Sequence, residues 1–295
     1  MSTTVRPFNS WVTGQTTTHA AIGAVGYNSG LSTVNATATT NAVMTIYLRL
    51  VMIQVSSKET VLDANNASVA HQDWKLDEFV AFHDVVKQQA EDFWNDNTFT
   101  LIPPSSYRGL NWPPGNRPTH RLNINCRFQV VWAGGPSDAH RVIRATRLTK
   151  EDADSKAARS HWELYDSGDT RPAIFNNHTN CGRPVVIEHL TVPHEIGHAI
   201  GLPHVGTFHD LTRSEYQCKE GGIDPASTTD WNKGGKDPYG NFSTEEEMRN
   251  IMGYGQGKAM WNFLPWILRI PAHTFSETML ADWKFSMANV APKPL

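Results

Sequence analysis

The chain has 295 residues, 26 Lys+Arg against 29 Asp+Glu, and a formal net charge of −3. That balance, with no basic run longer than two residues, excludes an electrostatic nucleic-acid footprint. A hydrophobic content of 39% with 12 Phe and 10 Trp can build a substantial core, and no apolar run approaches the ~18 residues that would span a bilayer.

Residues 1–11 lack an apolar h-region, so they do not read as a secretory signal. Two origins stay open: a mature chain, or export by a route that needs no such signal, as for a bacterial effector. Residues 1–42 are expected to form an N-terminal extension, and 12–42, rich in Thr, Ala, Gly and Asn, read either as an extended piece with one weak strand or as a segment held by something else. Residues 44–55 (MTIYLRLVMIQV) read as the first core strand. Over 74–94, Leu76, Phe79, Val80, His83, Val86, Ala90 and Phe93 recur at helical spacing, with charges between them. Pro-rich loops at 103–118 lead to the clearest strand, 121–132. There Leu122, Ile124, Cys126, Phe128, Val130 and Trp132 point one way, while Arg121, Asn123, Asn125, Arg127 and Gln129 point the other. Weaker strands are expected at 142–147, 162–165 and 173–176.

Residues 194–204 spell His-Glu-Ile-Gly-His-Ala-Ile-Gly-Leu-Pro-His. On a helix, His194 and His198 lie one turn apart on one face, close enough for a tetrahedral zinc with Zn–N of about 2.0–2.1 Å to bridge them. A third imidazole on the next turn would crowd the first two, so the helix must stop. Gly201, lacking a Cβ, can take the left-handed conformation that ends it, and Pro203 resists a restart. His204 then closes the triangle, leaving one coordination position open. Glu195 points to another side of the helix, toward that position, where it can serve as a general base. Pro193 fits only a first helical turn, which puts the helix start near Thr191 or Val192.

Beyond His204 the chain reads as loop to residue 242, with a plain surface loop at 230–234. Ser243 opens a capping box for a short helix, and the apolar stretch 260–270 is expected to form a helix broken by Pro265 and packed under the site. Three cysteines, Cys126, Cys181 and Cys218, exclude a complete disulfide framework. Either one pair forms, with Cys181–Cys218 the first choice, or all stay reduced.

The motif at 194–204, followed downstream by Asn250-Ile251-Met252-Gly253-Tyr254-Gly255, resembles the metzincin clan of zinc endopeptidases. The resemblance runs from residue 192 to 255. It combines the Gly-Leu-Pro-His of matrixin-like enzymes with the Met-Gly-Tyr turn of astacin-like and serralysin-like ones, while Val205 matches neither branch. It implies an α+β catalytic domain over 43–295: a twisted mixed sheet, a long helix and a zinc-binding helix in an upper part (43–204), and a smaller irregular lower part (205–295). It also implies Zn2+ on His194, His198 and His204, Met252 as an apolar floor beneath the ligands, and Tyr254 as a donor to the developing oxyanion. The expected partner is a polypeptide substrate. An extended peptide would lie along an edge strand within 161–180, and residues 255–261 would line a pocket on the leaving-group side. His178, His189 and His209 carry no assigned role. Asn180-Cys181-Gly182-Arg183-Pro184 looks like the cysteine-switch segment of matrixin propeptides, but its place just before the active helix favours a turn residue or half a disulfide.

Two other function classes fit the same residues. One is an amidase acting on a non-protein or cell-wall amide. The other is a binding module in which zinc only holds the fold. The presence of Glu195 argues against the latter, because a structural zinc closes its fourth position with a protein ligand and needs no base.

Overall fold

The computed structural model describes residues 10–15, 26–62, 67–96, 99–107, 109–112, 120–149, 163–180, 183–205, 239, 245–274 and 282–294. The loop 230–234, the capping residues Ser243 and Thr244, and the cysteines Cys181 and Cys218 lie outside these. Cys126 is a buried free thiol.

The architecture is α+β, built on a nine-stranded mixed sheet. Its N-terminal strands are β1 (Ser10–Gln15), β2 (Gly26–Ser32), β3 (Ala42–Gln54) and β4 (His71–Gln72). After the long helix α1 (Leu76–Asn95) come β5 (Thr100–Ile102), the two-residue strands β6 (Asn111–Trp112) and β7 (His120–Arg121), then β8 (Ile124–Trp132), β9 (Arg141–Leu148) and β10 (Leu164–Asp166). A hairpin of β11 (Ala173–Asn180) and β12 (Arg183–His189) forms a separate two-stranded sheet and feeds directly into α2 (Thr191–Ala199). Short helices α3 (Glu245–Met248), α4 (Leu264–Ile267) and α5 (Ile270–Thr274) precede β13 (Lys284–Ser286) and β14 (Lys293–Pro294).

The 13-residue β3 is the axis of the large sheet. Along one edge it pairs in parallel with β8 from Ala42↔Ile124 to Leu50↔Trp132. The other edge is shared: its first half pairs antiparallel with β2, its second half in parallel with β9. Its alternate residues Met44, Ile46, Leu48, Leu50 and Met52 are buried, as are Ile124, Cys126, Phe128 and Val130 of β8, so both strands point one apolar row into the core.

Residues 26–32, read as part of an extension or as a segment held by something else, form a strand of the large sheet: Tyr27 is fully buried and donates its hydroxyl to the Pro265 carbonyl at 2.7 Å, 238 positions away. Two expectations need correction. Two residues of the helical pattern over 74–94 face solvent, Leu76 at 76% and Val80 at 49% exposure. The buried stripe is instead Phe82, Val86, Ala90 and Trp94, one residue every four. Asn123, on the polar side of the 121–132 alternation, is buried because its amide donates to the carbonyls of Val290 and Ala291 at 2.8 and 2.9 Å. That satisfies a group which would otherwise be costly to bury.

One core spans the molecule. Trp94 from α1, Ile196 from α2, Met252, and Phe263 and Trp266 from the C-terminal segment all belong to the same buried cluster as the sheet. The stretch beyond His204 therefore shares the core of the stretch before it. Pro265 sits in the first turn of α4, a position that tolerates proline, and Trp266 donates its indole N–H to the Arg127 carbonyl at 2.8 Å.

The C-terminal end of α1 shows how the core side holds the site side. No cation lies in the last turn of the helix itself. Arg127 donates to the Asn95 carbonyl at 3.0 Å, and Lys258 donates to the carbonyls of Phe93 and Asp96 at 2.7 Å each. The Lys258 ammonium also lies 4.6 Å from the Phe93 ring centroid, and burial pulls its pKa below the usual lysine value. Replacing Lys258 by methionine keeps the aliphatic stem and leaves those two carbonyls without their charged donor. The expected cost is about 1.5–3 kcal/mol of unfolding free energy, read from urea denaturation. A loss under about 0.5 kcal/mol would show that the cap carries no weight.

Candidate metal centre

The local rules of α2 place two of the three histidines. Thr191 begins the helix and Pro193 falls in its first turn. His194 and His198 follow one turn apart, with ring centroids 4.8 Å from each other. The end of the helix is a Schellman motif. Gly201 has φ 97°, its N–H reaches the His198 carbonyl at 2.9 Å, and the Leu202 N–H reaches the Gly197 carbonyl at 2.9 Å. That reversal carries His204 back over the helix, with its ring 4.5 Å from that of His198. One ring nitrogen from each of His194, His198 and His204 can be chosen so that all lie within 4.8 Å of one another.

Backbone carbonyls decide which nitrogens face inward. His194 Nδ1 lies 2.5 Å from the Ile251 carbonyl oxygen and His198 Nδ1 lies 2.7 Å from that of Leu202. A carbonyl can only accept, so both Nδ1 atoms carry the proton and both Nε2 atoms present a lone pair. His198 Nε2 and His204 Nε2 are 3.0 Å apart, against the separation of about 3.3 Å expected for two nitrogens on a tetrahedral zinc. The donor set thus fits a divalent metal that accepts imidazole. Burial holds the imidazoles neutral: it lowers His198 to about 4 and, with the neighbouring His198 and His189, His204 to about 3, and it keeps His194 well below the usual histidine value.

The turn around Met252 braces two ligand-bearing segments. The Ile251 carbonyl accepts the His194 Nδ1–H, and the Met252 carbonyl accepts the Val205 N–H at 3.0 Å, next to His204. The Met252 side chain is fully buried against the helix: a Cβ added at Gly197 would meet its sulfur at 2.4 Å and a Trp94 ring carbon at 3.3 Å. Gly197 is therefore where the helix admits the thioether, between the two histidines. Gly197→Ala is expected to cost about 1–3 kcal/mol by overpacking, despite the better helix propensity of alanine, and to weaken metal binding with it. Thermal unfolding with and without metal would check this, and an unchanged or raised Tm would show that Met252 yields without strain.

Glu195 is 7% exposed and lines, with His194, a cavity of about 220 Å³. Tyr254 lines the same cavity. Its carbonyl accepts the Nδ1–H of His189 at 3.0 Å, and its ring stacks on Tyr239 at 4.5 Å and meets Phe175 edge-on at 6.1 Å. All seven residues singled out from the sequence thus converge on one region: Glu195 and Tyr254 on the cavity, His194, His198 and His204 as the nitrogen cluster, and Gly201 and Met252 shaping its support.

Sequence reading missed four further groups here. Tyr239 packs 4.3 Å from the His204 ring and 6.0 Å from that of His194. His189, given no role, is the last residue of β12 and sits 4.9 Å from the His194 ring. Asp166, the last residue of β10, and Asp169, in the turn that follows, line the cavity. Only the Asp-Ser-Gly-Asp pattern at 166–169 could have marked a turn; nothing in sequence placed it here. Residues 255–261, expected along a pocket, are not among the described lining of this cavity. No family model matches the chain, and no curated protein or solved structure matches it either.

Proposed function

We propose that the chain is a zinc-dependent endopeptidase of metzincin type. The observation that carries the reading is a cluster of three imidazoles, two of them with lone pairs turned inward by backbone carbonyls, one member of which, His194, shares a cavity with the buried carboxylate next to it in sequence, Glu195. The order of strand, long helix, strands and metal-binding helix supports it, as does the Met252 turn beneath α2.

His194, His198 and His204 would hold the metal. Bound there, zinc supplies Lewis acidity and a water pKa of about 7. Glu195 takes the proton of the attacking water and passes it to the leaving amine nitrogen as the C–N bond breaks. Tyr254 donates its phenol O–H toward the oxyanion that develops on the scissile carbonyl. The hairpin β11–β12, whose residues Phe175 and His189 line the cavity, offers a strand edge against which an extended peptide main chain can pair.

The test is digestion of a proteome-derived peptide library by zinc-loaded protein, read by mass spectrometry, with Glu195→Ala as control. Cleavages made only by the unmodified protein support the reading. A zinc-loaded protein that cleaves nothing turns it toward an amidase with a non-protein substrate.

A further inference from the structure

We propose that the cavity beside the histidine cluster takes a cationic side chain, lysine or arginine, so that the substrate carries a basic residue next to the bond to be opened; this rests on the endopeptidase reading. Two kinds of lining favour a cation independently. Asp166, Asp169 and Glu195 bring three carboxylates to the cavity, one negative charge more than a zinc ion held by His194 would offset, and no Lys or Arg stands among its described lining residues. Phe175, Tyr239 and Tyr254 add aromatic rings, whose faces attract a positive charge. Asp166 is 3% and Asp169 8% exposed, so their field acts through protein more than through screening solvent.

The acidic wall is rigid. Asp166 Oδ1 accepts the Gly168 N–H at 2.5 Å, Asp169 Oδ2 accepts the Asp166 N–H at 2.7 Å, and Gln89 from α1 donates to the Thr170 carbonyl at 2.6 Å. Recognition there requires little reordering on binding. At about 220 Å³ the cavity is smaller than the roughly 300–1,000 Å³ that encloses a drug-sized ligand, which suits a single side chain.

The discriminating probes are lysine hydroxamate and norleucine hydroxamate, which share a metal-binding group and an α-amine and differ in the terminal ammonium. Titration calorimetry with zinc-loaded protein is expected to give lysine hydroxamate a Kd at least about tenfold lower. The preference should largely persist as NaCl rises from about 0.05 to about 0.5 M, because buried charge pairs are screened little. It should fall to within about threefold in Asp169→Asn, whose amide oxygen can still accept the Asp166 N–H. Equal affinities for the two hydroxamates would overturn the inference while leaving the metal reading standing. A preference that survives both Asp166→Asn and Asp169→Asn would overturn it too. Failure to take up zinc would overturn the reading beneath it, and the inference with it.

Discussion

Glu195→Ala is expected to lower turnover of a cleavable peptide by at least about 100-fold while the protein still takes up one metal ion per chain. The two halves of that result come from different parts of the structure. Metal uptake depends on three imidazoles, two of them oriented by the Ile251 and Leu202 carbonyls, and Glu195 contributes no atom to that cluster. In the proposed reaction turnover depends on a base within reach of the attacking water, and Glu195 is the carboxylate next to His194 in the cavity. Glu195→Gln sharpens the test, because it keeps the shape and removes only basicity. It should be as inactive as the alanine variant. A glutamine variant with more than about a tenth of the original turnover would show that the carboxylate positions water without taking its proton.

What could be read in advance divides along a physical line. The 194–204 motif was legible because helix periodicity, a Schellman stop at Gly201 and a proline at 203 are local rules, and they bring His194, His198 and His204 together before any tertiary packing is known. β3 and β8 were legible because a buried sheet face imposes alternation. β2 was not. Gly26-Tyr-Asn-Ser-Gly-Leu-Ser has no apolar rhythm, and it is held in the sheet by distant partners: Tyr27 by Pro265, and Ser29 by His273 Nε2 at 3.0 Å across 244 positions. On α1 the apolar pattern was wider than the contact it makes, so Leu76 and Val80 were counted with the core although the strand and helix beside them leave that side open. The cavity wall failed for the same reason as β2. Asp166, Asp169, His189 and Tyr239 reach Glu195 through the fold, from positions where a local pattern names at most a turn.

Acid should unfold the metal-free protein well before it unfolds the metal-loaded one. In the folded chain burial holds His198 at about 4, burial and neighbouring histidines hold His204 at about 3, and His194 lies well below the usual value. In the unfolded chain each titrates near 6.5. Between about pH 6.5 and about pH 4 the unfolded state therefore binds more protons, so stability is fully present above 6.5 and is lost as pH falls toward the folded-state values. For His198 alone the loss is on the order of 3 kcal/mol, a large share of the roughly 5–15 kcal/mol that holds a domain together. Urea unfolding of metal-free protein should show a midpoint that is flat above about pH 7 and falls steeply from 6.5 to 4. With zinc bound, the same nitrogen lone pairs are occupied, and protons must compete with the ion for them. The loaded protein should keep its midpoint to lower pH, with metal release, followed by a zinc-sensitive dye, marking the point where it begins to fall. His204→Ala separates the contributions, since it removes one buried imidazole and one ligand at once. Its metal-free form should lose less stability on acidification than the parent, and its affinity for zinc should drop by more than about 100-fold. A metal-free midpoint that does not move between pH 7 and pH 4 would mean that these imidazoles are already solvated in the folded chain. The cluster would then lack the desolvated, neutral character on which the proposed metal site rests.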